Sequence, residues 1–584
     1  MEYLNQFRHF KKTAVTLLVL VVALLAYISF IWGKEAEDEK KKSSPYPPRL
    51  EMPDDPYLPV PREGRETSPA YRFSASGFFT TQVNVLDTNL NIIGDAANEP
   101  SIAIDPGNPN RMVIGWRQFD TINSNFRQAG YAFTTDGGQT WTFPGVIDPG
   151  VFRSDPVLDS DSAGTFYYNS LTVLGGNFAC HVFKSSDGGN TWDMGTFARG
   201  GDKQWMVIDK TGGISEGHIY SYWTPNYSVC YPGFFIRSAN HGISYENCVI
   251  IPGSPFWGTL AVASDGKLFV GGATETAFLV ARSSNARDSS QVVSWDLSTI
   301  VDLDGTIEFA NGPNPGGLLG QTWIAVDPSS GPNQGNVYLL CSVKRASISD
   351  PLDIMFSRSS DEGQTWSPPV RINDDPGTNA WQWFGTMSVA PNGRIDVVWL
   401  DTRDNPGTFL SSLYYSYSLD GGLTWAPNER LSPAFDPYVG WPQQNKMGDY
   451  FHMISDDSSA HLAWAATFNG EQDVYYARIT PSPVVGVRQE NKTSLSEKFI
   501  LYQNYPNPFN PTTTIEFALP QGGFVSLKIY NILGEEVAML VSERLAAGKY
   551  KYNWNATGLA NGVYFYRLKT DKGFQQIRKL ILLK

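Results

Sequence analysis

An octapeptide of the form S/T-x-D-x-G-x-T-W recurs along the chain and limits its possible folds more than any other feature. It reads TTDGGQTW at 134–141, SSDGGNTW at 185–192, SSDEGQTW at 359–366 and SLDGGLTW at 418–425. Each Asp (Asp136, Asp187, Asp361, Asp420) is placed to accept backbone N–H bonds inside a tight turn, and the Gly supplies positive φ. The closing Trp (Trp141, Trp192, Trp366, Trp425) then leaves the turn into packing. Such staples, recurring at intervals of about fifty residues, mark a repeat architecture.

A second element precedes each staple: an apolar strand, a turn and another apolar strand. Its copies lie at 101–116, 156–171, 205–223, 260–272, 323–341, 387–400 and 452–466. The four staples follow the first, second, fifth and sixth copies. After the third stands a degenerate version, SANHGISY at 238–245, with Asn240 in place of Asp; after the fourth only Arg282-Ser283-Ser284-Asn285 remains of one. After the seventh comes VYYARI (474–479) and then a Pro-containing linker, so the last unit lacks a fourth strand. TTQVNVLD at 80–87 resembles the strands that follow staples, such as PPVRINDD at 368–375, and stands before the first copy. Using it to close the last unit removes the open edge of a radial array. The region has no helical period of ten or more residues, and its short alternating strands are punctuated by Gly, Asn, Asp and Pro. The expectation for 78–480 is therefore all-β: a seven-bladed β-propeller of four-stranded blades, closed by an N-terminal outer strand.

These octapeptides resemble the Asp-boxes, or BNR repeats, of sialidases and their relatives, over residues 78–480. The resemblance implies Asp-boxes at the rim, on turns between the third and outermost strand of a blade, away from a central ligand site. The chain departs from the pattern twice. Sialidases have six blades, and their R-I-P motif, which carries the first of three substrate-holding arginines, is absent. Arg117 and Arg403 offer two members of such a cluster without a third, and no Tyr-Glu pair is assignable, so sialidase activity itself is not expected.

The flanks read differently. Residues 13–32 run for twenty residues without a charge behind Arg8, Lys11 and Lys12, a length that spans a bilayer. Residues 1–33 are a signal peptide or an uncleaved signal-anchor helix; only the second puts 13–32 in the inner membrane. Residues 34–77 are rich in charge and Pro and read as a disordered tether, and 481–498 as a second linker. In 499–584, YPNPFNPTTTIEF, KIYNILGEEV, LANGVYFYRLKT and the terminal KLILLK resemble the type A C-terminal sorting domain of the type IX secretion system. The resemblance implies a small immunoglobulin-like β-sandwich recognised by that machinery. It also implies export to the outer-membrane surface or medium of a Gram-negative bacterium of the Bacteroidetes–Chlorobi kind.

Net charge of −13 and a pI near 5.0, with no basic run of useful length, exclude a nucleic-acid partner. The four cysteines lack zinc-site spacing; Cys230 and Cys248 flank one hairpin and can pair in an oxidising compartment. The six scattered histidines support no metal site, and no cofactor is implied. Gly213-Ile214-Ser215-Glu216-Gly217 matches G-x-S-x-G but falls in a β-turn, not in a strand-to-helix elbow. Asp302-Leu303-Asp304-Gly305 with Glu308 resembles the start of a calcium loop and lacks its third ligand position.

In a propeller, strand entries and second-strand exits meet on one face around the central channel, where concavity and polar groups coincide. The entries supply Glu99, Asp155, Asp202, Lys203, Trp205, Trp257, Gln321, Trp323, Trp381, Trp383, Asp449 and Tyr450; the exits supply Arg117, Arg345, Asp401 and Arg403. Acids, a few cations and many aromatics suit a glycan or other extracellular polymer. Glycosidases need two opposed carboxyl groups, and Glu99, Asp155, Asp202 and Asp449 contain candidates for such a pair, though none is assigned as catalytic. The functional expectation is an exported propeller that binds, with cleavage left open, a glycan at its central face. The alternative is a non-catalytic propeller engaging a protein or cell-envelope partner.

Overall fold

The computed structural model describes residues 55–62, 64–481, 488–489, 498–545, 547–556 and 559–583. The hydrophobic segment 1–33, the tether up to residue 54 and most of the linker 481–498 lie outside the described residues. Every element among the described residues is a β-strand, and none of them forms a helix long and apolar enough to cross a membrane.

Between residues 72 and 479 the strands form seven antiparallel sheets of three to five strands, with Leu90–Ile92 and the hairpin Phe309–Asn311/Asn314–Leu318 paired outside them. Their innermost strands are Ala96–Ile104, Ser154–Ser160, Trp205–Ile208, Phe256–Val262, Trp323–Val326, Gln382–Val389 and His452–Ser455. Each touches the innermost strand of the next sheet, and the seventh touches the first, so the sheets form a closed ring. Second strands such as Met112–Phe119 are buried along their whole length, because each sheet is covered on both faces by its neighbours. This is why they read as near-continuous apolar runs instead of alternating ones. The third sheet keeps three strands; a single bridge from Phe235 to Val249 stands where a fourth would lie. Cys230 and Cys248, joined in a disulfide with Cα atoms 6.1 Å apart, lie beside that irregular edge.

The seam is made by the start of the chain. Phe78–Gln82 pairs antiparallel with Asp473–Ile479 in the seventh sheet, a few residues earlier than the stretch 80–87 expected from sequence. Arg72–Ala75 then adds outside it as a fifth strand. The disordered tether expected through residue 77 therefore needs correcting over 55–77. Tyr71 stacks on Phe468 at 4.2 Å, Thr67–Pro69 pairs with Leu90–Ile92, the Arg62 guanidinium lies 3.7 Å over Phe143, and Asp55 bonds Asn125. The surrounding Pro and charge hid these few anchoring side chains.

The octapeptides join sheet to sheet. In the fifth sheet, Asp361 accepts bonds from Ser359 Oγ (2.8 Å), Thr365 N (2.8 Å) and Thr365 Oγ1 (2.6 Å), and the other three copies repeat this set. Each Gly after the Asp-x pair has positive φ and leans on the preceding sheet: a Cβ on Gly138 would strike Tyr476, and one on Gly422 would strike Phe356. The Trp follows the same route, Trp141 to Tyr476 at 5.5 Å and Trp425 to Phe356 at 5.1 Å.

Arg488–Gln489 and the described residues from 498 to 583 build a separate core. Two four-stranded antiparallel sheets, one carrying Thr512–Leu519 and the other Gly523–Tyr530 and Gly562–Thr570, enclose Phe517, Leu527, Ile529, Tyr566 and Leu568.

Candidate functional site

The entries to six of the seven innermost strands carry the same local distortion. Glu99, Asp155, Lys203, Trp257 and Phe384 have φ between 46° and 56°, beside bulges that shift register in the first, fourth and sixth sheets. The seventh sheet uses Gly448 at φ 92°. Left-handed backbone is costly for such bulky residues and persists only where packing over-determines it. The bulge re-aims the residue that carries it, and in the first, second and third sheets those residues are charged.

The charged residues converge. Lys203 Nζ lies 2.5 Å from Asp449 Oδ2, 3.3 Å from Asp155 Oδ2 and 3.9 Å from Asp202 Oδ1. Arg117 Nε lies 3.2 Å from Glu99 Oε2. A further cation, Lys446, stands 2.8 Å from Asp449 Oδ2 and 3.6 Å from Glu99 Oε1. All seven residues are buried, Glu99, Arg117 and Asp155 completely. Burial pushes the Glu99 carboxyl well above its ordinary value, against the pull of Arg117 and Lys203.

On its neighbouring side this cluster meets an aromatic plug. The Trp205 ring is 5.0 Å from Trp323, 5.4 Å from Tyr450 and 5.2 Å from His452. Tyr450 donates to the Pro156 carbonyl at 2.8 Å. Burial lowers the His452 imidazole to about 3, so it is neutral at ordinary pH and engages Ser101 Oγ at 2.9 Å.

Two long connections cover the cluster. The hairpin Phe309–Asn311/Asn314–Leu318 precedes the fifth inner strand, and residues 431–451 precede the seventh. They lock together: Gly316 N donates to Asn445 O, Met447 N to Asn314 Oδ1, and Leu318 N to Asp449 Oδ1, all at 2.7–2.8 Å. This roof delivers Lys446 and shuts Asp449 away from solvent.

Of the sequence candidates, the structure brings together Glu99, Arg117, Asp155, Asp202, Lys203, Trp205, Trp323, Asp449 and Tyr450. Arg403, expected on the same face, is not among the residues of this cluster. It pairs with Asp401, Asp374 and Asp375 and lies 4.5 Å over the Tyr414 ring, tying the sixth sheet to the end of the fifth. Arg345 likewise pairs with Asp304 and Asp353, which removes Asp304 from any calcium loop. No group of His, Cys, Asp and Glu among the described residues is arranged to hold a metal. Ser215 of the G-x-S-x-G match is buried in a turn. Sequence reasoning missed Lys446; its one signal was the i, i+3 spacing to Asp449.

The arrangement bears on chemistry directly. The space between Asp155 and Asp449, where a glycosidic bond would have to sit, is filled by the Lys203 ammonium. Both carboxylates are engaged as counter-charges of Lys203.

A family model described as a secretion system C-terminal sorting domain matches residues 503–583, so the chain is exported to the cell surface or beyond. No curated protein matches the chain. Among solved structures, a protein of unknown function from Dyadobacter fermentans is 13% identical with a TM-score of 0.40, covering 70% of this chain and 100% of its own. Phage phi92 endosialidase is 8% identical at 0.38, covering 86% and 79%. A Trypanosoma rangeli sialidase is 10% identical at 0.35, covering 88% and 89%. TM-scores this low leave the site to be read from its own residues.

Proposed function

We propose that the ring is a seven-bladed β-propeller whose octapeptides are Asp-boxes, and that the exported protein binds a glycan on the face bearing the strand entries without cleaving it. One observation carries the reading: Lys203 stands between Asp155 and Asp449 beneath the roof. The acids that sequence alone offers as a hydrolytic pair serve instead as the counter-charges of a buried lysine. Buried ion groups of this kind hold a geometry at a cost in desolvation. The cluster fixes the roof, and the roof is the surface that meets the ligand. Export places it among extracellular polymers, which fits a surface built of loops rich in aromatic and amide side chains.

The test is a glycan panel read two ways on the full-length secreted protein. Retention of glycans with no release of shorter products is the expected result. Product release that disappears in Asp155→Asn or Asp449→Asn, with the fold intact, would show that the acids are catalytic. A panel on which nothing is retained would leave the same face to a protein or cell-envelope partner.

A further inference from the structure

The outer side of the roof carries a row of aromatic rings. Trp381 precedes the sixth inner strand, Phe409 lies in the connection between Ile395–Asp401 and Ser412–Ser418, and Tyr438 and Trp441 lie in the seventh-sheet connection. Their rings follow one another at 6.3 Å from Trp381 to Phe409, 5.3 Å to Tyr438 and 4.8 Å to Trp441. Phe409 and Tyr438 are 36% and 38% exposed, unlike the fully covered Trp and Tyr residues between the sheets. The row is held rigidly. Tyr438 Oη donates to the Gly312 carbonyl at 2.6 Å, Trp441 Nε1 to the Pro437 carbonyl at 2.7 Å, and a Cβ on Gly312 would stand 2.6 Å from the Trp381 ring.

We propose that this row is the glycan-binding platform of the protein, and that it takes uncharged polysaccharide. The inference rests on the glycan-binding reading above and narrows the site from the roof as a whole to this row of rings. Flat rings carry large apolar faces at little conformational cost and suit the C–H faces of pyranose rings. Positions already fixed by hydrogen bonds lose little freedom when a ligand arrives. The rim selects against anions. The Asp436 carboxylate accepts the Tyr438 amide beside the rings, Asp404 shares the Phe409 connection, and Glu308 lies at the base of the Gly312 hairpin. Arg430 against Asp404 at 3.4 Å and Lys344 against Glu308 at 3.3 Å are cations of this rim and both are already paired, so its excess negative charge is carried by Asp436. An acidic rim on a chain of net charge −13 repels sialylated, sulfated and uronate chains. Asn311 and Gln443 beside the rings are already held, Asn311 by Glu308 and the Gly312 amide and Gln443 by the Asn123 carbonyl, and each keeps a second amide N–H for a ligand hydroxyl.

The experiment compares the full-length protein with Phe409→Ala/Tyr438→Ala on an array holding neutral hexose and pentose polymers beside sialylated, sulfated and uronate chains. The expected result is binding confined to neutral polymers and weakened at least tenfold in the double variant. Phe197→Ala, which removes an exposed ring on the second sheet outside the row, should bind as the parent does. Neutral-polymer binding that survives the double substitution overturns the platform while leaving the glycan reading standing. Preference for anionic chains also overturns it. Silence of the parent protein across the whole array overturns both.

Discussion

At the residue scale, the octapeptide works through a few bonds that the sequence already spells out. In the degenerate copy, Asn240 takes over the task of Asp: its Oδ1 accepts Ser244 N at 3.0 Å and its Nδ2 donates to Ser244 Oγ at 2.8 Å. Asp361→Asn should accordingly be nearly neutral. Asp361→Ala, which removes every acceptor, should cost about 1 kcal/mol, read as a shift in the denaturant midpoint. The Thr365 hydroxyl and amide hold the Asp361 carboxyl below its ordinary value. Its contribution is therefore present above the unfolded value and lost as pH falls. Asp95 has the opposite sign. Burial raises it to about 7, with Gln118 opposing, so the folded chain keeps a proton that the unfolded chain releases. Stability then falls as pH rises from the ordinary carboxylate value towards about 7, at roughly 1.4 kcal/mol per unit, and levels off above. Asp95→Asn should flatten that slope in melting temperatures taken from pH 5 to 8. Nothing in the sequence marks Asp95, because its environment comes from the start and end of the ring together.

At the element scale, strands were legible and roofs were not. Alternation and turn residues located the inner strands, and position within each repeat brought Glu99, Asp155, Lys203 and Asp449 to one place. The same rule does not bring Arg403 into that cluster, since repeat position fixes where a loop leaves a sheet but not which partners it then meets, here Asp374, Asp375 and Asp401. The connections around 309–318 and 431–451 have no period to read; their shape is set by bonds to each other. Lys446 is the consequence. Lys446→Met should cost about 3–5 kcal/mol, since it leaves Glu99 and Asp449 short of a counter-charge in a buried site. Melting of the variant measures that loss. Lys446→Met combined with Asp449→Asn should recover part of it, as expected for a coupled pair.

At the scale of the whole molecule, the sequence separated a ring from a tail, and each has its own core. The tail directs export, so deletion of 499–584 should leave the protein inside the outer membrane, read by fractionation and surface labelling; grafting the same residues onto a reporter should carry the reporter out. The ring closes where Thr480 N meets Gly77 O at 2.7 Å and Phe78 pairs with Ile479. Its entrance and exit are therefore adjacent, and it hangs from its neighbours like a locket from a clasp. Tension between the leading segment and the tail must first strip Thr67–Pro69 from Leu90–Ile92 and Arg72–Ala75 from Phe78–Gln82 before the rungs between Phe78–Gln82 and Asp473–Ile479 carry it. Ends this close also make the starting point of the ring arbitrary. A few residues bridging 480 to 77 would let the chain begin between any two other sheets and still trace the same circle.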